Sequence, residues 1–134
     1  MNAALSTRLA TRFDDALART RTALAQHGFG VLTEIDVRAT LRDQLGVDME
    51  DYRILGACNP AVAHRAISVD REIGLILPCN VLVRADRGAA GTVIVEAMDP
   101  RLVIEVTGEP ALIALAAELT ANVCAAIASL TESR

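Results

Sequence analysis

The sequence contains no lysine and no tryptophan, and aromatic residues make up only 2% of its 134 positions. All 13 basic residues are arginine, and 17 acidic residues outnumber them, which leaves a net charge of -4. A nucleic-acid surface normally requires clustered positive charge, so this balance predicts that neither DNA nor RNA is a partner. With so few aromatic rings, the core must be built from the Leu, Ile, Val and Ala within an apolar fraction of 52%.

The chain also lacks an uninterrupted apolar segment at its N-terminus, and so it shows no signal peptide. Its most apolar stretch, 111–130, carries Glu118 and Asn122, and we therefore expect no membrane span. Three cysteines are an odd number, which disfavours a disulfide framework. Together these absences predict a cytoplasmic protein with reduced thiols.

Catalytic and phosphate-binding motifs are absent as well: the sequence has no GxGxxG, Walker loop, HExxH or GxSxG. The sequence therefore names no reaction, no catalytic residue and no cofactor, and it leaves open whether the protein is an enzyme.

A chain of 134 residues without linker or internal repeat is expected to form a single domain, 1–134. Apolar periodicity predicts the order of elements. The expected segments are a helix at 6–27, a strand at 29–36, a helix at 37–45, a strand at 52–58, a helix at 59–69, strands at 75–84 and 92–98, an extended piece at 102–106 and a helix ending near 130.

This order predicts an α+β fold, with a mainly antiparallel four-stranded sheet and helices packed on one face. The loop 85–91 is short enough to make the third and fourth strands a hairpin. That hairpin disfavours the alternative, a doubly wound parallel sheet.

The unusual polar residues and two of the three cysteines concentrate in 54–80, which we identify as the candidate site. Cys58 ends a predicted strand, and Asn59-Pro60 is a sequence that caps and starts a helix. A thiol beside a helix N-terminus is favoured as a thiolate, a metal ligand or part of an anion pocket. The alternative is that Cys58 is a small apolar residue ending a buried strand.

Cys79 lies between Pro78 and Asn80, where the proline reshapes the strand. The two cysteines lie at one end of the sheet if the chain returns antiparallel, and at opposite ends if the connection is a parallel crossover. If paired, Cys58 and Cys79 could form a disulfide or bind a soft metal.

Three further polar residues are candidates for the same pocket. His64 lies about one turn into the predicted third helix and could act with Cys58, although an exposed helix histidine is the simpler interpretation. Glu96 lies within a predicted strand, and Asp99 directly follows that strand; both could form walls of a site.

Four short segments together resemble the domain-of-unknown-function 302 family: GFGV at 28–31, ILGACNP at 54–60, LPCNV at 77–81 and EAMDP at 96–100. The similarity extends over about 17–130. Cys58 and Cys79 are similar to only one branch of the family, the one with GACNP and LPCNV. The resemblance implies a compact α+β domain similar to one half of a TATA-binding-protein-like fold, with helices on a curved antiparallel sheet. It also implies a homodimer, and it implies no established activity.

Three functions are compatible with these residues. The first is a module that binds a small ligand or a metal ion, with Cys58, Asn59, His64, Cys79, Asn80, Glu96 and Asp99 as site residues and Cys58 and Cys79 as metal ligands. The second is a thiol enzyme in which Cys58 attacks, Cys79 resolves and His64 is the base. The third is a dimeric interaction module that needs no ligand.

Overall fold

The computed structural model of the chain describes residues 5–104 and 107–132. Within these residues, five strands and five helices follow one another, together with a short 3₁₀ segment at Arg71–Leu75. The elements are β1 (Ser6–Leu9), α1 (Phe13–Gln26), β2 (Gly30–Asp36), α2 (Val37–Leu45), β3 (Tyr52–Cys58), α3 (Pro60–Val69), β4 (Cys79–Ala85), β5 (Val93–Ala97), α4 (Pro100–Ile104) and α5 (Pro110–Glu132).

The strands form one sheet in the order β1-β5-β4-β3-β2, and every neighbouring pair is antiparallel. The predicted α+β class and antiparallel sheet are therefore confirmed, and the doubly wound parallel alternative is excluded. β4 and β5 form the expected hairpin. β3 and β4 pair with Ala57 opposite Cys79 and Gly56 opposite Asn80, which fixes the geometry of the candidate site.

The predicted count of four strands was wrong, because Ser6–Leu9 is a strand that pairs with β5 and not the start of the first helix. Leu5 and Leu9 are both buried, and their spacing of four fits a helix face and a strand face equally well. The helix begins at Phe13, where Asp14 and Asp15 lie in its first turn and interact favourably with the helix dipole.

One face of the sheet is covered by helices. α1 and α5 pack on the strands, and α3 and α4 pack against α5. The apolar stripe predicted for the last helix is buried, with each member no more than 5% exposed: Leu112, Leu115, Leu119, Val123, Ile127 and Leu130. α5 is long and apolar enough to cross a membrane by length and composition, and its packing into this core accounts for the same apolar character.

Local capping chemistry places the helix starts around the candidate site. The Asn59 side chain accepts a hydrogen bond of 3.2 Å from the Val62 amide, and Pro60 occupies the first helical position, as predicted. Asp99 caps α4 and Pro100 starts it, so residues 102–104 of the expected extended piece are helical. Residues 105 and 106 of that expected segment lie outside the described residues.

Candidate functional site

Cys58 and Cys79 lie at the same end of the sheet, which answers the question that the sequence left open. β3 ends at Cys58, and after α3 the chain returns antiparallel to start β4 at Cys79. Because Ala57 is the register partner of Cys79, Cys58 is one residue from a direct cross-strand pair. Both cysteines and Asn59 line one small cavity.

This cavity between the sheet, α3 and α5 is small. Its volume is about 10 Å³, which is room for at most one water molecule. Apart from the two thiols and Asn59, its lining is aliphatic: Ala57, Val62, Ala63, Ala66, Leu77, Ile104, Leu115 and Leu119. The space beside the thiols is therefore a packed part of the core, too small for an organic ligand.

The surroundings of Cys58 do not favour the thiolate. Two amides of the first turn of α3 are already hydrogen-bonded, because the Asn59 side chain accepts from the Val62 amide and the Asn59 carbonyl accepts from the Ala63 amide. Pro60 has no N–H to offer. Burial raises the pKa of Cys58 above its ordinary value, which is opposite to the direction that a reactive nucleophile requires.

Cys79 is more deeply buried, and burial together with the neighbouring Cys58 raises its pKa to about 11. We expect native Cys58 to be alkylated by iodoacetamide more slowly than in urea-unfolded protein. At pH 8, Cys79 is expected to react at least about 100-fold more slowly than when unfolded, because its thiolate fraction falls with the raised pKa. Peptide mapping of a labelling time course gives both rates. A native Cys58 that reacts faster than the unfolded thiol would restore the nucleophile hypothesis.

The other predicted site residues do not join the two thiols. Asn80 and Glu96 lie on the opposite face of the sheet, because successive residues of a strand point to opposite sides. His64 is exposed on α3 and does not line the cavity. Asp99 is 3% exposed and is hydrogen-bonded to the Arg101 guanidinium and the Thr120 hydroxyl.

Among the described residues, a metal ion between Cys58 and Cys79 would have no further His, Cys, Asp or Glu ligand. Within residues 5–104 and 107–132, no group of three or more His, Cys, Asp or Glu side chains could hold a metal ion. A structural zinc site needs four such ligands. The two cysteines therefore do not fit the zinc pattern.

A second and larger hollow lies on the face of the sheet opposite the helices. It measures about 470 Å³ and is lined by Tyr52, Ile54, Asn80, Leu82, Glu96 and Met98. All of these belong to β3, β4 or β5, apart from Met98, which directly follows β5. Glu96 accepts a hydrogen bond of 2.8 Å from Arg84 Nε. We refer to this surface as the outer-face hollow.

The apolar residues of this hollow were not predicted from the sequence, although the sequence contains a signal for them. β3 (YRILGAC) and β4 (CNVLVRA) carry apolar residues at both parities, so that Leu55 and Val81 face the helices while Ile54 and Leu82 face outward. Strands buried on both faces read as such continuous runs, whereas strands with one wet face alternate cleanly.

Helices on one side of an antiparallel sheet and an apolar hollow on the other define the chain as an open-faced α+β domain. The family model for the domain of unknown function DUF302 matches residues 5–130, and the chain belongs to this family. It is similar to an uncharacterized conserved DUF302 protein from Bacillus stearothermophilus, whose crystal structure has a TM-score of 0.83 and 27% sequence identity. The similarity covers 92% of this chain and 94% of the other. No curated protein matches the sequence.

Proposed function

We propose that this chain is a self-associating interaction module, in which two copies pack their sheets together through the outer-face hollow. One observation carries the proposal: β3 and β4 carry apolar residues on both faces, as strands covered on both sides do, yet among the described residues helices pack on only one face. A second sheet, packed face to face with the first at a separation of about 10 Å, would cover the outer face. The homodimer implied by the family resemblance agrees with this proposal.

The charges around the hollow favour a second copy as the partner. Arg84 is paired with Glu96, and Arg8 on the edge strand is paired with Asp86. If a partner covered this surface, neither ion pair would be left with an unmatched charge. A buried charge without a partner is the costly outcome of burying ions. A face with balanced charges meets an identical face without like-charge repulsion, and a twofold dimer places the same patch on both sides.

The strand register shows which residues of the outer face lie beside Arg8 and Arg84. Arg8, Ile94, Arg84 and Tyr52 form one row across four strands. Ile94 is only 7% exposed although it lies on the outer face, because the side chains of Arg8 and Arg84 flank it in that row. The adjacent row carries Leu82 and Ile54, which line the outer-face hollow.

Leu82→Arg tests the dimer. We expect the wild-type protein to be a dimer by sedimentation equilibrium in the micromolar range, and Leu82→Arg to raise its dissociation constant by about 100-fold or more, the effect of removing a central interface anchor. The matched control is Leu102→Arg on α4, a leucine that is 59% exposed and lies outside the outer-face hollow. It should leave the dimer unchanged.

Circular dichroism must show that both variants keep the fold. A wild-type protein that is monomeric at all accessible concentrations would overturn the proposal. Equal weakening by Leu82→Arg and Leu102→Arg would also overturn it, because the outer face would then have no special role.

A small ligand is the second candidate, and the size of the outer-face hollow favours it. A volume of about 470 Å³ lies in the range of small-molecule sites, and Asn80 and Glu96 offer polar anchors among apolar walls. Native mass spectrometry of reduced, unchelated protein reports subunit number and bound mass together. A mass lost in Asn80→Ala would locate an organic ligand at the hollow. A metal mass lost in Cys58→Ser would instead support the thiol site.

The similarity to one half of a TATA-binding-protein-like fold stays a prediction. It carries no proposal of DNA binding, because the net charge of -4 and the absence of lysine oppose a nucleic-acid surface.

A further inference from the structure

Cys58 and Cys79 take no part in the proposed dimer interface, yet the antiparallel pairing of β3 and β4 places them close together. We propose that Cys58 and Cys79 form a reversible intramolecular disulfide by exchange with a low-molecular-weight disulfide. This bond would crosslink the end of β3 to the start of β4, and the two cysteines would thus form a redox modification site. This inference is independent of the self-association proposed above.

The strand register gives the Cα separation of Cys58 and Cys79. Cys79 pairs directly with Ala57, so Cys58 is its diagonal neighbour on the adjacent antiparallel strand. A strand separation of about 4.8 Å and a rise of about 3.4 Å per residue give a diagonal Cα separation of about 6 Å. Disulfides span Cα separations of about 4.4–6.8 Å.

The surroundings of the thiols allow them to approach. Both thiols are free, and both cysteines line the same cavity. Cys58 is the last residue of β3, where the chain turns into α3, and it still pairs with Gly30 of β2. What brings it together with Cys79 is the cavity that both residues line.

The difference in exposure between the two thiols assigns the order of the exchange. Cys58 is half-buried, whereas Cys79 is 6% exposed. The external disulfide therefore meets Cys58 first. Cys58 loses its proton to water and attacks one sulfur of that disulfide, which forms a mixed disulfide and releases one small thiolate. Cys79 then loses its proton and attacks the Cys58 sulfur, which forms the Cys58–Cys79 bond and releases the second small thiolate.

The balance of this exchange is complete. Two protein thiols are oxidised to one disulfide, one small disulfide is reduced to two thiolates, and the two protons lost from the protein protonate them. Because burial raises the pKa of Cys58, the exchange is expected to be slow at neutral pH and to accelerate as pH rises. This rate suits a response to sustained oxidation, not a catalytic cycle.

The test is incubation of the reduced protein with oxidised glutathione, followed by intact-mass analysis and peptide mapping. We expect a loss of about 2 Da in a protein that carries no glutathione, and a linked pair of peptides containing Cys58 and Cys79. Cys124→Ser is expected to behave identically, since Cys124 lies on α5 and does not line the cavity.

Two variants distinguish the steps. Cys79→Ser should stop at one glutathionyl group on Cys58, and Cys58→Ser should leave Cys79 reduced over the same time. The proposal is overturned if glutathionyl-Cys58 accumulates while Cys79 is present. It is also overturned if native wild-type protein stays reduced under conditions that oxidise the urea-unfolded chain. Both of these outcomes are measured on the wild-type chain, so the test does not depend on whether the variants fold.

Discussion

Replacing Gly56 by alanine is expected to destabilise the protein by about 1–3 kcal/mol, the cost of overpacking a well-filled site. A Cβ atom at this position would lie 2.2 Å from the Thr33 hydroxyl oxygen and 3.0 Å from Pro78 Cγ. The 2.2 Å approach is far closer than real Cβ contacts allow, so a neighbour must move. The gain from a less flexible unfolded chain, about 0.4–1 kcal/mol, does not offset this cost.

The crowding at Gly56 comes from an irregularity in the edge strand. β2 pairs Val31 with Ala57 and Thr33 with Gly56, so that Leu32 is an extra residue that forms a β-bulge. The bulge brings Thr33 directly over Gly56 on the outer face. Only glycine leaves room there, which gives a physical reason for one residue of the ILGACNP motif.

A double-mutant cycle with Thr33→Ala isolates this contact. Thr33→Ala alone removes the closest atom and should change the free energy of unfolding by less than about 1 kcal/mol, because Thr33 lies on an exposed edge strand. In the double variant, Gly56→Ala should cost clearly less than in the wild-type background, with the Pro78 contact accounting for the remainder. Urea unfolding of the four proteins measures the coupling. Strict additivity of the two substitutions would show that the Thr33 contact is not the cause.

The parts of the fold that depend on local chemistry were predictable from the sequence. Asn59-Pro60 and Asp36 mark helix starts through caps that involve only the next few residues, and both caps are present. The first strand was missed because a spacing of four between Leu5 and Leu9 does not distinguish a helix from a strand. Its partner, β5, is distant in the sequence, and no local pattern identifies that pairing.

The candidate site was predictable only in part, for the same reason. The nearness of Cys58 and Cys79 follows from the antiparallel pairing of β3 and β4, which the sequence could not settle. Grouping Cys79 with Asn80 ignored strand alternation, which places neighbouring residues on opposite faces of the sheet. The two residues therefore line separate cavities. The outer-face hollow was missed because the apolar residues at both parities of β3 and β4 were not interpreted as a sign of strands with two apolar faces.

Asp99 has a structural role at the start of α4, and its replacement is expected to be costly. Its carboxylate accepts hydrogen bonds of 3.0 Å from both the Arg101 backbone amide and the Arg101 guanidinium, yet the residue is only 3% exposed. Asp99→Ala removes a helix cap and a charge-assisted hydrogen bond, and we expect a loss of about 1–3 kcal/mol in the free energy of unfolding. Asp99→Asn keeps an acceptor for the amide and should cost less.

The pH dependence of stability tests the charge on Asp99 separately. The hydrogen bond from the Arg101 side chain, helped by the Arg101 amide and charge, holds the pKa of Asp99 below its ordinary value against the opposing effect of burial. A carboxyl group whose folded pKa is depressed stabilises the fold above its unfolded pKa, and this stability is lost as pH falls through the folded pKa.

Urea unfolding at a series of pH values should therefore show that wild-type stability falls below about pH 5 more steeply than that of Asp99→Asn, which has no charge to lose there. The control is Asp43→Asn, which removes an exposed carboxylate on α2 and should keep the wild-type slope. If wild-type and Asp99→Asn lose stability in parallel, the Asp99 charge contributes nothing to folding. The residue would then act as a cap through its oxygen atoms alone, as an asparagine does at the same position of α3.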